Sequence, residues 1–437
     1  MDFCVQTTTQ LILNEMRKKK NESAKNVIMS PLSMNLMLNM VASGSEGKTL
    51  EQFLKFLGSD GIKELNNMSS VIMSLLLASA SASTSSPPAT SGTQKPLMQP
   101  KPVTTFFDFN DQHLFSKKTE QQQQQQQPLF SLVNALWVDK RFQLIPSFKE
   151  ITETIYKAKV ENVDLYNEAD HVKKAVNSWV ENETKGLIKE LLPQSVKLEP
   201  PLCLANALYF KGAWEDPFDA SMTRDNKFHL LNGRTIQVPF MNSHNDYLCY
   251  ASNDDYKVLK LRYQRVGERT DKQIQFSMYI LLPHDRYGLQ DMVEKFNLDT
   301  KLLAPENLNH HLRRVELSHV SIPKLKFSYD VDAKELLEKK GLTFPFSEKD
   351  ADFSNMVFSP AINVYIGIML HKSCIEVNEE GTEAAADTFA GTMFGCSAYS
   401  EPPPLHSFVA DHPFVFMVVE EFSQLVLFTG AVLDLEN

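Results

Sequence analysis

Several residue groups have the types that catalysis or ligand binding uses. The stretch ASGSEGKT (42–49) comes close to a phosphate-binding loop. Such a loop needs a glycine where Ala42 stands and a strand before it, whereas the preceding residues read as a helix, so the stretch reads as a turn and a helix cap. His310, His311 and His371 lack a second donor at metal-ligand spacing and read as surface or hydrogen-bonded histidines. The five cysteines, Cys4, Cys203, Cys249, Cys374 and Cys396, are odd in number and form no C-x-x-C pair. They read as reduced thiols, not a disulfide framework or a zinc site. There is no G-x-S-x-G elbow and no H-E-x-x-H. The acids Glu379 and Glu380 have no partner base in view, and the basic residues 17–20 and 313–314 read as solvated faces. An enzyme reading therefore has no nucleophile, and no cofactor or metal is implied.

A different pattern stands at EEGTEAAADTFAGTMFGC (379–396). By propensity it opens like a helix, with a threonine cap, a glutamate and alanines. At period two, Thr382, Ala384, Ala386, Thr388, Ala390 and Thr392 share one face, and all are small. The other face, Glu383 to Met393 at alternate positions, is mixed in size and charge. A strand buried on one face in a confined space needs this alternation.

The flanking elements are legible. Dense Met and Leu over 33–41 predicts a buried helix, and Thr49 with Gln52 reads as a capping box ahead of Leu50, Phe53, Leu54 and Leu57. Val172, Ala175, Val176, Trp179 and Val180 form a helical stripe ending near Gly186. LFSLVNALWVD, CLANALYFKGAW, FSMYILLP and AINVYIGIMLHKSCIEV read as buried strands, the last running straight into the alternating stretch. The C-terminal HPFVFMVVEEFSQLVLFTGAVLD reads as two strands around a polar turn. Helices dominate early and strands late, which predicts an α+β fold. From about 80 to 128 the chain is Ser/Pro/Thr-rich and ends in seven glutamines, 121–127. This composition predicts a disordered insertion within one domain, with TTFFDFNDQHLF (104–115) as a partly ordered patch.

The 437 residues are 43% hydrophobic, enough for a sizeable core. A formal charge of −10 argues against nucleic acid as a partner. No window has the apolar length of a membrane span. The first twenty residues lack a cationic leader before an apolar core, which predicts cytoplasmic or nuclear residence.

NVIMSPLSMN, ANALYFKGAW, VSIPKLKFSY, GLTFPF, CIEVNEEGTEAAA and FVADHPFVF, in this order, resemble the serpins and most closely the plant serpins. The resemblance covers 1–437 apart from the insertion. It implies one α+β domain with three sheets, eight or nine helices and an exposed reactive loop near the C-terminus. It further implies a suicide inhibitor of a chymotrypsin-like serine or papain-like cysteine protease: the protease cleaves the loop, and the loop inserts into the central sheet. The alternative implied is a non-inhibitory serpin acting as a binding or chaperone module. On the family pattern Gly381 and Thr382 form the hinge, and Thr382, Ala384, Ala386, Thr388, Ala390 and Thr392 form the insertion face. The family loop length places the reactive bond at Gly395–Cys396. Gly395 fills no specificity pocket, so Phe394 or Met393 would suit a chymotrypsin-like or cysteine protease better. Plant relatives usually carry alanine at Asp387, a smaller residue at Phe389 and often a basic residue at the reactive bond. The implied partner is a target protease and the implied state a monomer. By family analogy, extracellular residence is also open.

Overall fold

A computed structural model of the chain describes residues 2–18, 24–81, 129–265, 274–359, 362–379 and 406–436. Among these are nine α-helices: α1 (Asp2–Met16), α2 (Pro31–Ala42), α3 (Gly47–Leu57), α4 (Ile62–Ser81), α5 (Pro146–Thr154), α6 (Ala169–Glu183), α7 (Leu289–Leu298), α8 (Pro305–His311) and α9 (Ala333–Lys339). The first ten strands are β1 (Val27–Met29), β2 (Leu129–Asp139), β3 (Gln143–Leu144), β4 (Lys159–Val163), β5 (Leu202–Lys211), β6 (Arg224–His229), β7 (Thr235–Ser243), β8 (Asp246–Ser252), β9 (Tyr256–Arg262) and β10 (Phe276–Pro283). The others are β11 (Arg313–Pro323), β12 (Leu325–Asp332), β13 (Val357–Phe358), β14 (Ile366–Val377), β15 (His406–Val409), β16 (Phe414–Glu420) and β17 (Leu425–Val432).

These strands form three sheets, as the sequence resemblance implies. One has ten strands, one five in the order β12-β14-β5-β2-β4, and β13 pairs β3 alone. The five-stranded sheet is covered on both faces. Val172, Val176 and Val180 of α6 pack on Cys203, Ala205, Ala207, Ile368 and Leu370 on one side. On the other, Leu204 and Met369 join Met37, Leu38 and Val41 of α2 in a second cluster. Burial on both faces explains why β5 and β14 read as near-continuous apolar runs and not as alternating ones.

The strand readings match closely: LFSLVNALWVD is β2, FSMYILLP is β10, and the C-terminal pair is β16 and β17. Two local readings need correction. The capping box at Thr49 and Gln52 is not formed, because α3 starts at Gly47 behind Glu46, whose side chain makes no cap bond. Thr49 Oγ1 instead accepts the Asp352 N–H at 2.9 Å, and Gln52 Oε1 accepts those of Thr343 and Phe344 at 3.0 and 2.8 Å. Distant segments offered these side chains better-placed donors than the helix's own first turn. In α6, Ala175 is exposed and Lys173 is buried in its stead, with its Nζ 3.2 Å from the Gln194 carbonyl. A long aliphatic stem buries well when its charged end finds an acceptor.

Thr49→Val keeps the shape but strands the Asp352 amide. The expected loss is about 1–2 kcal/mol, read as a lower urea midpoint at unchanged slope. An unchanged midpoint would show that the tertiary bond contributes nothing.

Candidate functional site

The predicted reactive bond, Phe394, Gly395 and Cys396, lies outside the described residues, as does the hinge and insertion face of Gly381, Thr382, Ala384, Ala386, Thr388, Ala390 and Thr392. Described in detail is the platform on either side. The chain leaves the sheet from the end of β14, and the described structure resumes at β15 on the ten-stranded sheet, parallel to β11.

At the centre of the five-stranded sheet, β14 and β5 are parallel neighbours, from Ile366 opposite Leu202 to Glu376 opposite Lys211. Their outer partners are antiparallel, β12 on β14 and β2 on β5. A segment that continued from β14 and doubled back would run antiparallel to β14. Because β5 points the same way, it would also be antiparallel to β5. The parallel seam is therefore the one place where a returning strand exchanges one parallel ladder for two antiparallel ones, the more stable pairing per residue.

A row of polar side chains crosses the seam. Asn134, Asn206 and His371 stand opposite one another in register on β2, β5 and β14. Asn206 Nδ2 donates to Asn134 Oδ1 at 2.6 Å, and His371 Nδ1 donates to Asn206 Oδ1 at 2.7 Å. His371 Nε2 accepts the Ser30 amide at 3.1 Å and lies 3.0 Å from Ser373 Oγ. These partners assign the proton to Nδ1. Ser33 Oγ donates to Asn206 Oδ1 at 2.9 Å. The local sequence makes α2 available for this, since Ser30 caps the Ser33 amide and Pro31 occupies the first turn, where no N–H is needed. Asn206 is fully buried and His371 nearly so, and burial pushes the imidazole down to about 3. His371, which the sequence read as a surface or hydrogen-bonded histidine, is the hydrogen-bonded kind.

The exit of β14 is clamped. Trp214 Nε1 donates to the Asn378 carbonyl at 2.8 Å, and the Phe218 amide donates to the Glu379 carbonyl at 2.8 Å. Trp214 is itself fixed by stacking on Tyr263, with centroids 4.3 Å apart. A side chain on Gly212 would meet that Tyr263 ring at 2.2 Å, so only glycine lets the two pack. Glu379 Oε1 takes Lys324 Nζ at 2.8 Å and Thr223 Oγ1 at 2.6 Å. Burial raises the Glu379 carboxyl, but the Lys324 and Thr223 donors outweigh it and hold it below the ordinary range. The sequence found no base for Glu379. Lys324, brought over at the β11–β12 corner, is the partner that the structure supplies. The buried Asn378 Oδ1 and Tyr263 hydroxyl beside this clamp have no partner among the described residues.

At the other end of the seam, a cleft of about 680 Å³ opens beneath the α6–β5 connection, lined by Leu191, Val196, Lys334, Gly367 and His371 among others. Asn177 holds that connection, accepting the Leu191 and Leu192 amides at 2.9 and 2.8 Å. Elsewhere the described residues include no cluster of three or more His, Cys, Asp or Glu placed to hold a metal ion. No helix among them is long and apolar enough to cross a membrane. His310 and His311 are exposed, and Arg313 and Arg314 are solvent-facing with backbone carbonyl partners. The sequence reading did not single out Ser30, Ser33, Asn206, Trp214 and Lys324, which the structure brings to the seam and its exit, although each lies inside a quoted motif. The motifs signalled kinship without saying which side chains meet.

The model of the family described as serpin (serine protease inhibitor) matches residues 5–435. Among curated proteins the chain is 38% identical to Serpin-ZXA of rice over 94% of this chain and 91% of the relative. It is also 38% identical to Serpin-ZX of Arabidopsis thaliana over 94% and 92%. Among solved structures it resembles Arabidopsis AtSerpin1 in its native stressed conformation, with a TM-score of 0.76 and 35% identity over 99% of this chain and 98% of that one. Uncleaved ovalbumin shares the fold at a TM-score of 0.69 and 21% identity, covering 99% of this chain and all of that one.

The buried row makes stability depend on pH. Folded, His371 stays neutral down to about 3, while its ordinary value is 6.5. Its contribution is complete above pH 6.5 and is lost as the pH falls below that, when the unfolded chain takes up a proton the native seam refuses. Between pH 6 and 4, wild-type stability is expected to fall more steeply than that of His371→Gln, by about 1.4 kcal/mol per pH unit. Equal slopes in urea titrations at several pH values would remove His371 from this role.

Proposed function

The chain belongs to the serpin family, and from that premise we propose that it traps a chymotrypsin-like serine or papain-like cysteine protease by loop cleavage and insertion. Family membership supports protease inhibition generally. The observation that supports the finer reading is the parallel β14–β5 seam, between whose strands a segment returning from β14 would run antiparallel to both neighbours.

The chemistry belongs to the protease. Its serine or cysteine adds to the carbonyl carbon of the residue before the bond, Gly395 on the loop count or Phe394 one step earlier. The amide C–N bond breaks, and the following residue leaves as an amine with a proton from the protease's general acid. An ester or thioester then joins protease to loop. The freed end of the loop enters the seam. Thr382, Ala384, Ala386, Thr388, Ala390 and Thr392 are small enough to face the covered side, where α2 and the Asn206–His371 pair already fill the space. Glu379 marks the pivot, because its clamp holds the chain to one residue before Glu380 and Gly381. About a dozen new ladder bonds at roughly 1 kcal/mol each give on the order of 10 kcal/mol, comparable to a domain's whole stability. A gain of that size requires the uncleaved fold to be metastable; serpin loop insertion is itself a standard example of such a switch. The insertion read at about 80–128 lies, beyond Ser81 at the end of α4, outside the described residues, and this reading gives it no part in the machinery.

Phe389 and Gly395 favour the second reading, a serpin used as a binding or chaperone module. Phe389 is bulkier than the pattern asks, and Gly395 offers a protease pocket nothing to hold. Incubation with a protease panel separates the readings: trapping gives a complex that survives SDS, binding does not.

Thr382→Arg forces a charge into the seam at the first inserted position, at a cost of several kcal/mol. Cleaved wild-type protein is expected to melt far above the uncleaved form, and the cleaved variant is not. The variant is expected to be turned over as a substrate. Absence of thermal gain in cleaved wild type would sink the inhibitory reading.

Chymotrypsin digestion followed by mass spectrometry is expected to find cleavage after Phe394. A cut after Met393 or Gly395 would move the reactive bond.

A further inference from the structure

Helix α4 carries an apolar flank that the folded domain leaves uncovered. Its buried side, Leu65, Ile72, Met73 and Leu76, faces the core. On the solvent side Met68 is 53% and Val71 69% exposed, and Leu75 beside them is half-buried. Spaced three and four apart, these three side chains stand above one another along one flank. From Asn66 to the end of the helix at Ser81 there is no charged side chain to keep that flank wetted. An exposed apolar helix stripe without charge is a docking surface in search of an occupant.

The chain supplies one. Residues 82–128 leave directly from the end of α4 and return at Leu129, the start of β2. Phe130 lies in the same core cluster as Ile72, Met73 and Leu76, so both ends of the excursion are fixed beside this helix. The excursion is Ser, Pro, Thr and Gln for most of its length but concentrates Phe106, Phe107, Phe109, Leu114 and Phe115 within 106–115. The tether from Ser81 to Phe106 is 106 − 81 = 25 residues, a reach of roughly 25–30 Å for a flexible chain. Val71 lies 81 − 71 = 10 residues back along the helix, about 15 Å away. The return tether from Phe115 to Leu129 is 129 − 115 = 14 residues, roughly 20 Å of reach. The outgoing tether reaches past that distance, which sets a local concentration on the order of millimolar.

We propose that the phenylalanine cluster of 106–115 seats intramolecularly on the Met68–Val71–Leu75 flank of α4. The aromatic side chains cover the stripe, and the Ser/Pro-rich and glutamine stretches act as the two tethers. This gives the insertion an address on the domain, on an element separate from the seam and the reactive loop.

Hydrogen–deuterium exchange on the full chain tests it. Amides in 104–115 are expected to exchange at least tenfold more slowly than those in 83–100, equally at two protein concentrations tenfold apart. Val71→Asp and Met68→Lys, both at exposed positions, are each expected to abolish the slowing. Ser70→Asp, exposed but about a quarter-turn round the helix from Val71, is expected to preserve it. Phe106→Ser with Phe107→Ser is expected to abolish it from the other side. No slowing in wild type, slowing that survives both Val71→Asp and Met68→Lys, or slowing that grows with protein concentration and so reports a second copy, would each overturn the proposal.

Discussion

His371 and Asn206 share a hydrogen bond 2.7 Å long across the parallel β14–β5 interface of the five-stranded sheet. Ser30, Ser33, Ser373 and Asn134 all lean on the same pair, so the bond ties the start of α2 to three strands at once. Buried this far from water, its polar atoms cannot be left half-satisfied without a penalty of about 1–3 kcal/mol each. The seam is thus closed cooperatively: separating β5 from β14 at this level disturbs the whole row. Any strand that enters must break the bond and supply replacement partners.

The two ends of the seam have different characters. At the upper end, the Glu379 clamp combines an ion pair, an indole bond, a hydroxyl bond and one backbone bond just past the end of β14. Next to it, Asn378 Oδ1 and the Tyr263 hydroxyl are buried without partners among the described residues. At the lower end, a cleft under the α6–β5 connection reaches down to His371. Gly367 lies so close to the Glu199 carbonyl that a side chain there would meet it at 2.0 Å. The seam thus carries a tight anchor at one end, a polar lock in the middle and open volume at the other.

Charge and composition fit a mixed α+β fold without saying what the seam is for. The acidic balance is spread over local pairs, such as Lys211 and Lys326 on Glu376, that steady the strands near the exit. The exposed apolar flank of α4 stands where the chain departs into its Ser, Pro and Gln-rich stretch.

What the sequence determined by itself was whatever repeats at short range. Apolar runs at β2, β5, β10, β14, β16 and β17 read correctly because burial on both faces demands unbroken hydrophobicity. The alternation of small residues from Thr382 to Thr392 is likewise a short-range pattern of period two, on residues outside the described structure. The family motifs carried the rest of the fold. Tertiary structure alone decided the pairings between residues far apart in the chain. Thr49 and Gln52 left their helix for Asp352 and for Thr343 and Phe344, because a rigid neighbour held donors in better positions than a fraying helix end. Glu379 found Lys324, and His371 found Asn206 and Ser30, partners 55, 165 and 341 residues distant in sequence. No local period encodes such a meeting. It exists only once parallel strands have set the register that puts His371 opposite Asn206.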